Sequence, residues 1–113
     1  MAATNKALVE GGLLTNAAAV VYTSPAIGTG TRITAFTATN TTGSAVTYSV
    51  YIVPDGDVAG FANLLLDDEA LAGGEADVPA ALINQLIPPS STLEAFASSG
   101  ATVAVSASGI EFT

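Results

Sequence analysis

The clearest pattern of apolar and polar positions lies in the segment Val46–Val53, VTYSVYIV. Apolar side chains recur at every second residue, and the residues between them are mainly polar or amphipathic. A strict period of two in a segment rich in β-branched and aromatic residues predicts a half-buried β-strand. The side chains predicted to face the core are Val46, Tyr48, Val50 and Ile52.

A second β-prone segment, Thr31–Thr39, precedes this strand, but its alternation changes phase between Ala35 and Phe36, as a β-bulge would cause. The residues between the two segments, Asn40–Ser44, include a glycine and have the length of a hairpin loop. We therefore predict that Thr31–Val53 forms an antiparallel hairpin around which the rest of the chain is organised.

Shorter β-prone segments follow along the chain, with turn signals roughly every ten residues. The predicted strands outside the hairpin are Lys6–Thr15, Ala17–Thr23, Phe61–Leu71, Ser91–Ser98, Ala101–Ala107 and Gly109–Thr113. Phe61–Leu71 is also compatible with a helix, but a helix would place Asp67, Asp68 and Glu69 near its C-terminal end, where the helix dipole disfavours negative charge. We therefore favour a strand there.

One segment, Asp77–Ile87, has a helical character, since it begins with an N-cap residue, has Pro79 early, and is ended by Pro88 and Pro89. It predicts one short helical turn near 79–86. Seven or eight short strands with one such turn predict an all-β fold, a single antiparallel β-sandwich or jelly-roll-like domain. We expect this domain to span residues 15–113, and residues 1–14 to be either its first strand or an N-terminal arm that orders against a partner.

Composition changes this picture by indicating what the surface is made of. The chain has 113 residues, enough for one domain with a core, and only 11% of them are charged, against about 25% in a typical soluble domain. Much of the surface must then consist of Thr, Ser, Ala and Gly, which bind water weakly. Coverage of part of this surface by neighbouring subunits would explain the composition, and a small Ala-rich monomer is the alternative.

The net charge of −8 comes from ten carboxylates against Lys6 and Arg32. Proteins bind nucleic acid largely by neutralising phosphates with Lys and Arg, so we expect no nucleic-acid partner and, for the same reason, no anionic membrane partner. Arg32 either pairs with a carboxylate across the sheet or a subunit contact, or is an exposed strand residue. The N-terminus lacks the layout of a signal peptide, so synthesis in the cytoplasm is expected.

The sequence offers little catalytic chemistry, because it contains no histidine and no cysteine. Only a carboxylate or Lys6 remains to activate a Ser or Thr hydroxyl. The adjacent acids Asp67, Asp68 and Glu69 would point to alternating faces of a strand, which does not suit the paired carboxylates of a glycosidase. We therefore predict no enzymatic activity, no catalytic residue and no cofactor.

Calcium is the metal ion worth testing, since Asp55, Asp57 and the acids at 67–69 are close in sequence. An EF-hand loop needs a bidentate Glu at its twelfth position, and counting from Asp55 that position is Leu66. Solvated turn and edge carboxylates are the simpler interpretation, so no metal site is predicted, although an irregular calcium loop stays open. Gly28-Thr29-Gly30 precedes a strand, and not the helix that a phosphate-binding loop needs, so it is predicted to be a turn.

Several stretches, taken in order, resemble a group of small tailed-bacteriophage virion proteins, which are β-sandwich subunits of capsids and tails. The stretches are Leu13-Leu14-Thr15, Ala19–Pro25, Thr31-Arg32-Ile33, Thr37–Val46, Tyr51–Pro54 and Ala107–Glu111. The resemblance covers most of the chain and is strongest over Leu13–Pro54 and Leu93–Glu111. One departure is Pro88-Pro89-Ser90-Ser91, which stands where such proteins have a Pro-Gly-Asp turn.

This resemblance implies a structural subunit that assembles on a virus particle. Capsid decoration is the favoured role. In this role the protein would be a cement protein that binds the major capsid protein on the outer head surface as a homotrimer and is held there by several modest contacts at once. A tail or connector subunit is the first alternative. The second is a host-surface receptor-binding module, whose aromatic candidates would be Tyr51 and Phe61; a bacterial adhesion domain fits less well without a signal peptide. We expect the contacts to come from Met1–Leu14 and from loops 54–60 and 72–80.

Overall fold

The computed structural model describes residues 2–113 as two antiparallel sheets that pack face to face. The strands are β1 (Ala3–Leu13), β2 (Ala19–Thr23), β3 (Gly30–Asn40), β4 (Val46–Val53), β5 (Leu64–Leu71), β6 (Ala76–Asp77), β7 (Leu86–Ile87), β8 (Thr92–Ala97) and β9 (Val103–Phe112). The five-stranded sheet has the order β1-β9-β3-β6, with β7 also paired to β3, and the four-stranded sheet has the order β2-β8-β4-β5. The predicted all-β sandwich is therefore confirmed; Met1 lies outside the described residues.

The predicted hairpin at Thr31–Val53 is wrong. Strand β3 pairs with β9 in the five-stranded sheet, whereas β4 pairs with β8 and β5 in the four-stranded sheet. The connection at residues 41–45 therefore crosses from one sheet to the other. A short loop with a glycine suits either a hairpin or such a crossover, and the local sequence does not distinguish them.

Within the individual strands the alternation was a good guide. Val46, Tyr48 and Val50 of β4 are buried, and Ile52 is half-buried against the same core. A bulge in β3 is present as predicted, but the register with β9 shifts between Ile33 and Ala35 and not between Ala35 and Phe36.

The strand count was less accurate, since residues 2–113 contain nine strands and not seven or eight. The two-residue strands β6 and β7 are too short to show a hydrophobic pattern. The two predicted strands at the C-terminal end are one continuous strand, β9. Gly109, where the break was expected, is a strand residue whose missing side chain leaves room for the backbone carbonyl of Arg32.

The predicted helical turn near 79–86 is present as three i→i+3 hydrogen bonds, donated by the amides of Leu82, Ile83 and Gln85, and interrupted at Asn84, whose amide donates to Ile33 of β3. They do not extend to a regular helix. Within the described residues, regular helical geometry is limited to one 3₁₀ turn at Phe61–Asn63. It occupies the start of the segment Phe61–Leu71, and the rest of that segment is strand β5, as predicted.

The two sheets are joined at the β3–β4 crossover by the side chain of Asn40, which is 1% exposed. Its amide nitrogen donates to the carbonyl oxygens of Ser44, Leu71 and Ala72 at 2.6, 3.3 and 3.1 Å. Its side-chain oxygen accepts hydrogen bonds from the backbone and hydroxyl of Thr42. Because Asn40 ends a strand of one sheet and Leu71 ends a strand of the other, one amide links the sheets and shapes the connection.

A second inter-sheet link ends at the carboxylate of Glu111, on the inner side of β9. Tyr22 of β2 donates its hydroxyl to Glu111, and Lys6 of β1 lies 3.2 Å from the same oxygen. Since the hydroxyl proton of Tyr22 is used there, Tyr22 accepts from Thr31, and Thr31 accepts from Ser24. The hydroxyls thus form a directed chain that ends on the carboxylate.

The hydrogen bond between Tyr22 and Glu111 changes the pKa of both groups. The hydrogen bond from Tyr22 lowers the pKa of Glu111 below its ordinary value, against the opposing effect of burial, and Lys6 adds to the lowering. Burial, together with the acceptor Glu111, raises the pKa of Tyr22 to about 12.

A third link joins the sheets on the other side of the core, where the hydroxyl of Tyr48 in β4 donates to Asp77 in β6 at 2.7 Å. Burial of the ring, together with this acceptor, raises the pKa of Tyr48.

Substitution of Asn40 tests the crossover link. Asn40→Ala leaves buried carbonyls without a donor, so we expect the free energy of unfolding to fall by about 2 kcal/mol. The measurement is urea denaturation followed by circular dichroism. Asn5→Ala, at an exposed position of edge strand β1, is the matched control and should change stability by less than about 0.5 kcal/mol. Equal effects of the two variants would contradict the assigned role.

The Glu111 cluster predicts a pH dependence. A carboxyl group whose pKa is lower in the folded than in the unfolded state stabilises the fold above the unfolded value, about 4.3 for Glu, and loses this effect as the pH falls through the folded value. Glu111→Gln should therefore be less stable than wild type at pH 7, and its stability should change less on acidification. Urea denaturation between neutral and acidic pH measures both. Tyr22→Phe should give an intermediate profile, and a Glu111→Gln profile parallel to wild type would refute the coupling.

Candidate functional site

Three loops meet at one end of the sandwich, which we call the tip end: residues 24–29, residues 88–91 and Pro54–Asn63, the last named the tip loop. Ser91 holds them together. Its carbonyl accepts from the amide of Ser24 at 2.9 Å, and its hydroxyl accepts from the amide of Asp55 at 3.2 Å. The predicted turn at Gly28 is confirmed: its φ is +98°, and a side chain there would collide with the carbonyl of Phe112.

The tip loop has a fixed conformation that the sequence explains locally. It starts with the predicted turn at Pro54, closed by a hydrogen bond from the amide of Asp57 to the carbonyl of Pro54 at 3.0 Å. It ends in the 3₁₀ turn, where the side chain of Asn63 accepts from the amide of Gly60 and donates to the carbonyl of Val58, both at 3.0 Å. The side chain of Asn63 therefore fixes the last part of the tip loop through two hydrogen bonds.

The result of this closure is that large apolar side chains are held in solvent. Phe61 is 94% exposed and Val58 is 81% exposed, and Ile27, on the neighbouring loop, is 75% exposed. A single exposed apolar residue is ordinary, but three at one end on tied loops form a candidate contact site. The sequence predicted contacts at Phe61 and the 54–60 loop, but Val58 and Ile27 were not singled out as contact residues. Each is a large apolar residue in a loop whose other residues are mainly small or turn-forming, and this contrast would have identified them.

Tyr51, the other aromatic candidate, is not a loop residue. It lies half-buried in β4, and its ring stacks on that of Phe96 in β8, with the ring centres 6.1 Å apart and the planes at 24°. This pair lies on the outer face of the four-stranded sheet. Phe96 was not predicted, although it lies two residues after the charged Glu94 in β8 and therefore shares its outward face.

The outer face of the five-stranded sheet is nearly free of charge. Two adjoining shallow depressions run along β9 between β1 and β3, lined mainly by Ala, Ser and Thr side chains, with Lys6 and Glu10 at the β1 side. Their central lining residues are Ala7, Ala35, Thr37, Ser106 and Ser108. This face is where the weakly hydrated surface expected from composition is located.

Arg32 lies on the same sheet and is exposed, in agreement with one of the two interpretations of its role. Its guanidinium carbon is 5.8 Å from the centre of the Phe112 ring, a cation–π distance. Over residues 2–113, ion pairing within 4 Å is limited to Lys6 and Glu111. The positive charge of Arg32 is therefore available to a partner.

The carboxylates suggested for calcium are distributed over two elements. Asp55 and Asp57 belong to the tip loop, whereas Asp67, Asp68 and Glu69 lie exposed on edge strand β5. The backbone of Asp68 has a positive φ of 47°, and its amide donates to the hydroxyl of Ser49, so β5 is bulged there. In the part of the chain that is described, no three acidic side chains come together in a way that could hold a metal ion.

The predicted N-terminal contact segment is part of the fold over the residues that are described. Ala3–Leu13 is strand β1 and pairs with β9 along its length, with Leu8 buried in the core. Loop 72–80 contains strand β6, which pairs with β3. Within residues 2–113, no helix has the length and apolar character needed to cross a membrane.

The sequence matches no protein-family model and no curated protein. A chain from the structure of infectious bursal disease virus, Gx strain, is similar at 16% identity and a TM-score of 0.49, and the match covers 96% of this chain and 30% of that chain. The present chain thus spans less than a third of the viral chain, and a likeness this distant supports no conclusion about function.

The role of Asn63 in the tip loop is testable. Asn63→Ala removes the acceptor of the Gly60 amide, so we expect hydrogen exchange of that amide to accelerate about fivefold or more, as for a hydrogen bond worth about 1 kcal/mol. Global stability should change by no more than about 1 kcal/mol, because the loop is outside the core. Asn16→Ala, in an exposed loop at the other end, is the control. Unchanged exchange at Gly60 would show that the loop is held by other contacts.

Proposed function

We propose that the protein is a structural subunit of a virus particle and, more specifically, a capsid decoration protein that binds the outer head surface of a tailed bacteriophage. Its partner in this role is the major capsid protein, and it acts as a homo-oligomer, most simply a trimer. The role needs contact surfaces and no catalytic residue or cofactor.

The observation that carries this proposal is the outer face formed by β1, β9 and β3, which has few charges and which we call the small-residue face. In a chain of net charge −8, three adjacent strands present mainly Ala, Ser and Thr to solvent. Such a face loses little hydration on contact with another protein, because few charged groups need to be desolvated. A flat face of small side chains also lets strands approach closely, which suits packing between subunits.

The distribution of the acidic residues agrees with an outward-facing subunit. Strands β5 and β6 form one edge of the sandwich, where β5 carries the exposed acids Asp67, Asp68 and Glu69 and the exposed Glu75 directly precedes β6. A strongly acidic edge deters pairing with a further strand and is repelled by packaged DNA. It therefore suits the side of the subunit that stays in solvent.

A receptor-binding module is the second candidate, and a specific observation favours it. Phe61 is almost fully exposed on a loop of fixed conformation, as an aromatic platform for a sugar or a receptor protein would be. A tail or connector subunit uses the same kind of surfaces as a decoration protein. Binding partners, and not the fold, distinguish the three roles.

A single experiment separates these roles. The purified protein is mixed with undecorated heads, with tails and with a glycan array from the host surface, and binding is measured by co-sedimentation or array signal. Binding to heads is the expected result. Binding to tails alone would favour the connector role, and binding to a glycan alone would overturn the structural proposal.

The small-residue face is tested by introducing a charge into it. Ser106 is exposed on β9, so Ser106→Asp should preserve the fold while placing a carboxylate in the contact. We expect self-association by light scattering, or attachment to heads, to weaken by about 30-fold or more, the scale of a contact worth 2 kcal/mol. Ser99→Asp, in the exposed β8–β9 loop, is the matched control. Wild-type behaviour of Ser106→Asp in both assays would refute the role of this face. Deletion of residues 1–10 is a poorer test, since it removes Leu8 from the core.

A further inference from the structure

We propose that the tip loop is the anchor by which the subunit is held on the particle: Phe61 and Val58 insert into an apolar pocket of the partner protein whose rim is basic. This inference rests on the proposed function and adds to it the contact residues and the chemistry of the partner surface. The tip loop differs in location from the small-residue face, because it follows β4 of the other sheet.

The first support is that the exposure of these side chains is built into the loop. Phe61 is one of only four phenylalanines in the chain, yet its side chain is 94% exposed. The side chain of Asn63 fixes this segment, because it accepts from the amide of Gly60 and donates to the carbonyl of Val58. A loop without a contact role would gain by folding the ring against the sandwich. Because the loop is ordered before binding, little conformational entropy is lost when it docks.

The second support is that the loop is anchored to the body of the sandwich. Ser91 is 2% exposed and joins the base of the tip loop at Asp55 to the neighbouring loop at Ser24. Ile27 extends from that neighbouring loop and is also exposed. A force on Phe61 is therefore transmitted to strands β2, β4 and β8, as expected of an attachment point.

Charge defines the partner. The tip loop contains Asp55 and Asp57, both exposed and both within six residues of Phe61, and it contains no basic residue. The two cations of the chain, Lys6 and Arg32, are on the five-stranded sheet. An apolar pocket with an acidic rim would repel this loop, whereas Lys or Arg around the pocket would pair with the two aspartates. The occupant that fits is a protein pocket that is apolar inside and basic at its edge.

The test measures the affinity of variants for heads by co-sedimentation over a range of protein concentrations. Phe61→Ala should weaken binding by about 30-fold or more, which is the hot-spot scale, and Val58→Ala should weaken it less. Val20→Ala is the matched control, because Val20 is 54% exposed but lies in β2, outside the tip end and outside the expected contact segments, and it should bind as wild type does. All three side chains are exposed, so thermal unfolding should be unchanged.

Two further measurements address preorganisation and charge. Asn63→Ala keeps both apolar side chains but releases the loop, so it should weaken binding while leaving Phe61 available. Wild-type affinity should fall as salt is raised, and Asp57→Asn should reduce this salt dependence. An affinity independent of salt would refute the basic rim.

The outcomes separate this inference from the proposed function. If wild type binds heads and Phe61→Ala binds equally well, the anchor is refuted and the decoration role stands. If wild type binds neither heads nor tails, the proposed function fails and the inference fails with it. Loss of glycan binding in Phe61→Ala, without binding to any particle, would identify Phe61 as a sugar platform and overturn the protein pocket.

Discussion

The crossover between β3 and β4 is the constraint on which the rest of the structure depends. It places two strands that are adjacent in sequence into different sheets, so that β3 pairs with the distant β9, and β4 pairs with the distant β8 as well as with its neighbour β5. Asn40 makes this crossover stable, because its buried amide satisfies carbonyls at the end of β5 and in the loop itself. A residue without this set of donors and acceptors would leave backbone groups unpaired in the core, which costs more than one hydrogen bond gains.

Polar links between the sheets compensate for a core of small side chains. Many buried positions are Ala or Val, and the largest fully buried side chains are Tyr48 and Phe36. Tyr48 reaches Asp77 across the core, and Tyr22 reaches Glu111 near the opposite edge. Each tyrosine contributes a large apolar ring to the interior and ends in a hydroxyl that is hydrogen-bonded to a carboxylate. The sheets are thus joined near both edges by tyrosines that combine a directional hydrogen bond with the burial of an apolar ring.

The surface is divided into regions with different properties. The edge formed by β5 and β6 is acidic and bulged, which prevents further strand pairing. The small-residue face of the five-stranded sheet has few charges, and the tip end presents Phe61 with Val58 on a loop of fixed conformation. This separation is consistent with a protein that makes more than one contact and has one side that stays in solvent. Several modest contacts made together can hold a subunit firmly on a repeating lattice.

The sequence by itself determined most of the strand segments, several of the turns and that the domain is an antiparallel sandwich, because alternation and turn chemistry are local properties; the two-residue strands β6 and β7 are too short to show such a pattern. It also identified the 54–60 loop and Phe61 as candidates for contact. Only the tertiary structure decided that β3 and β4 belong to different sheets and that Ala3–Leu13 is an edge strand of the fold. It also showed that Tyr51 stacks on Phe96, whereas Phe61 is exposed. Those features depend on which buried groups satisfy one another across long separations in sequence, as Asn40 and Leu71 do, and periodicity within one segment carries no information about a distant partner.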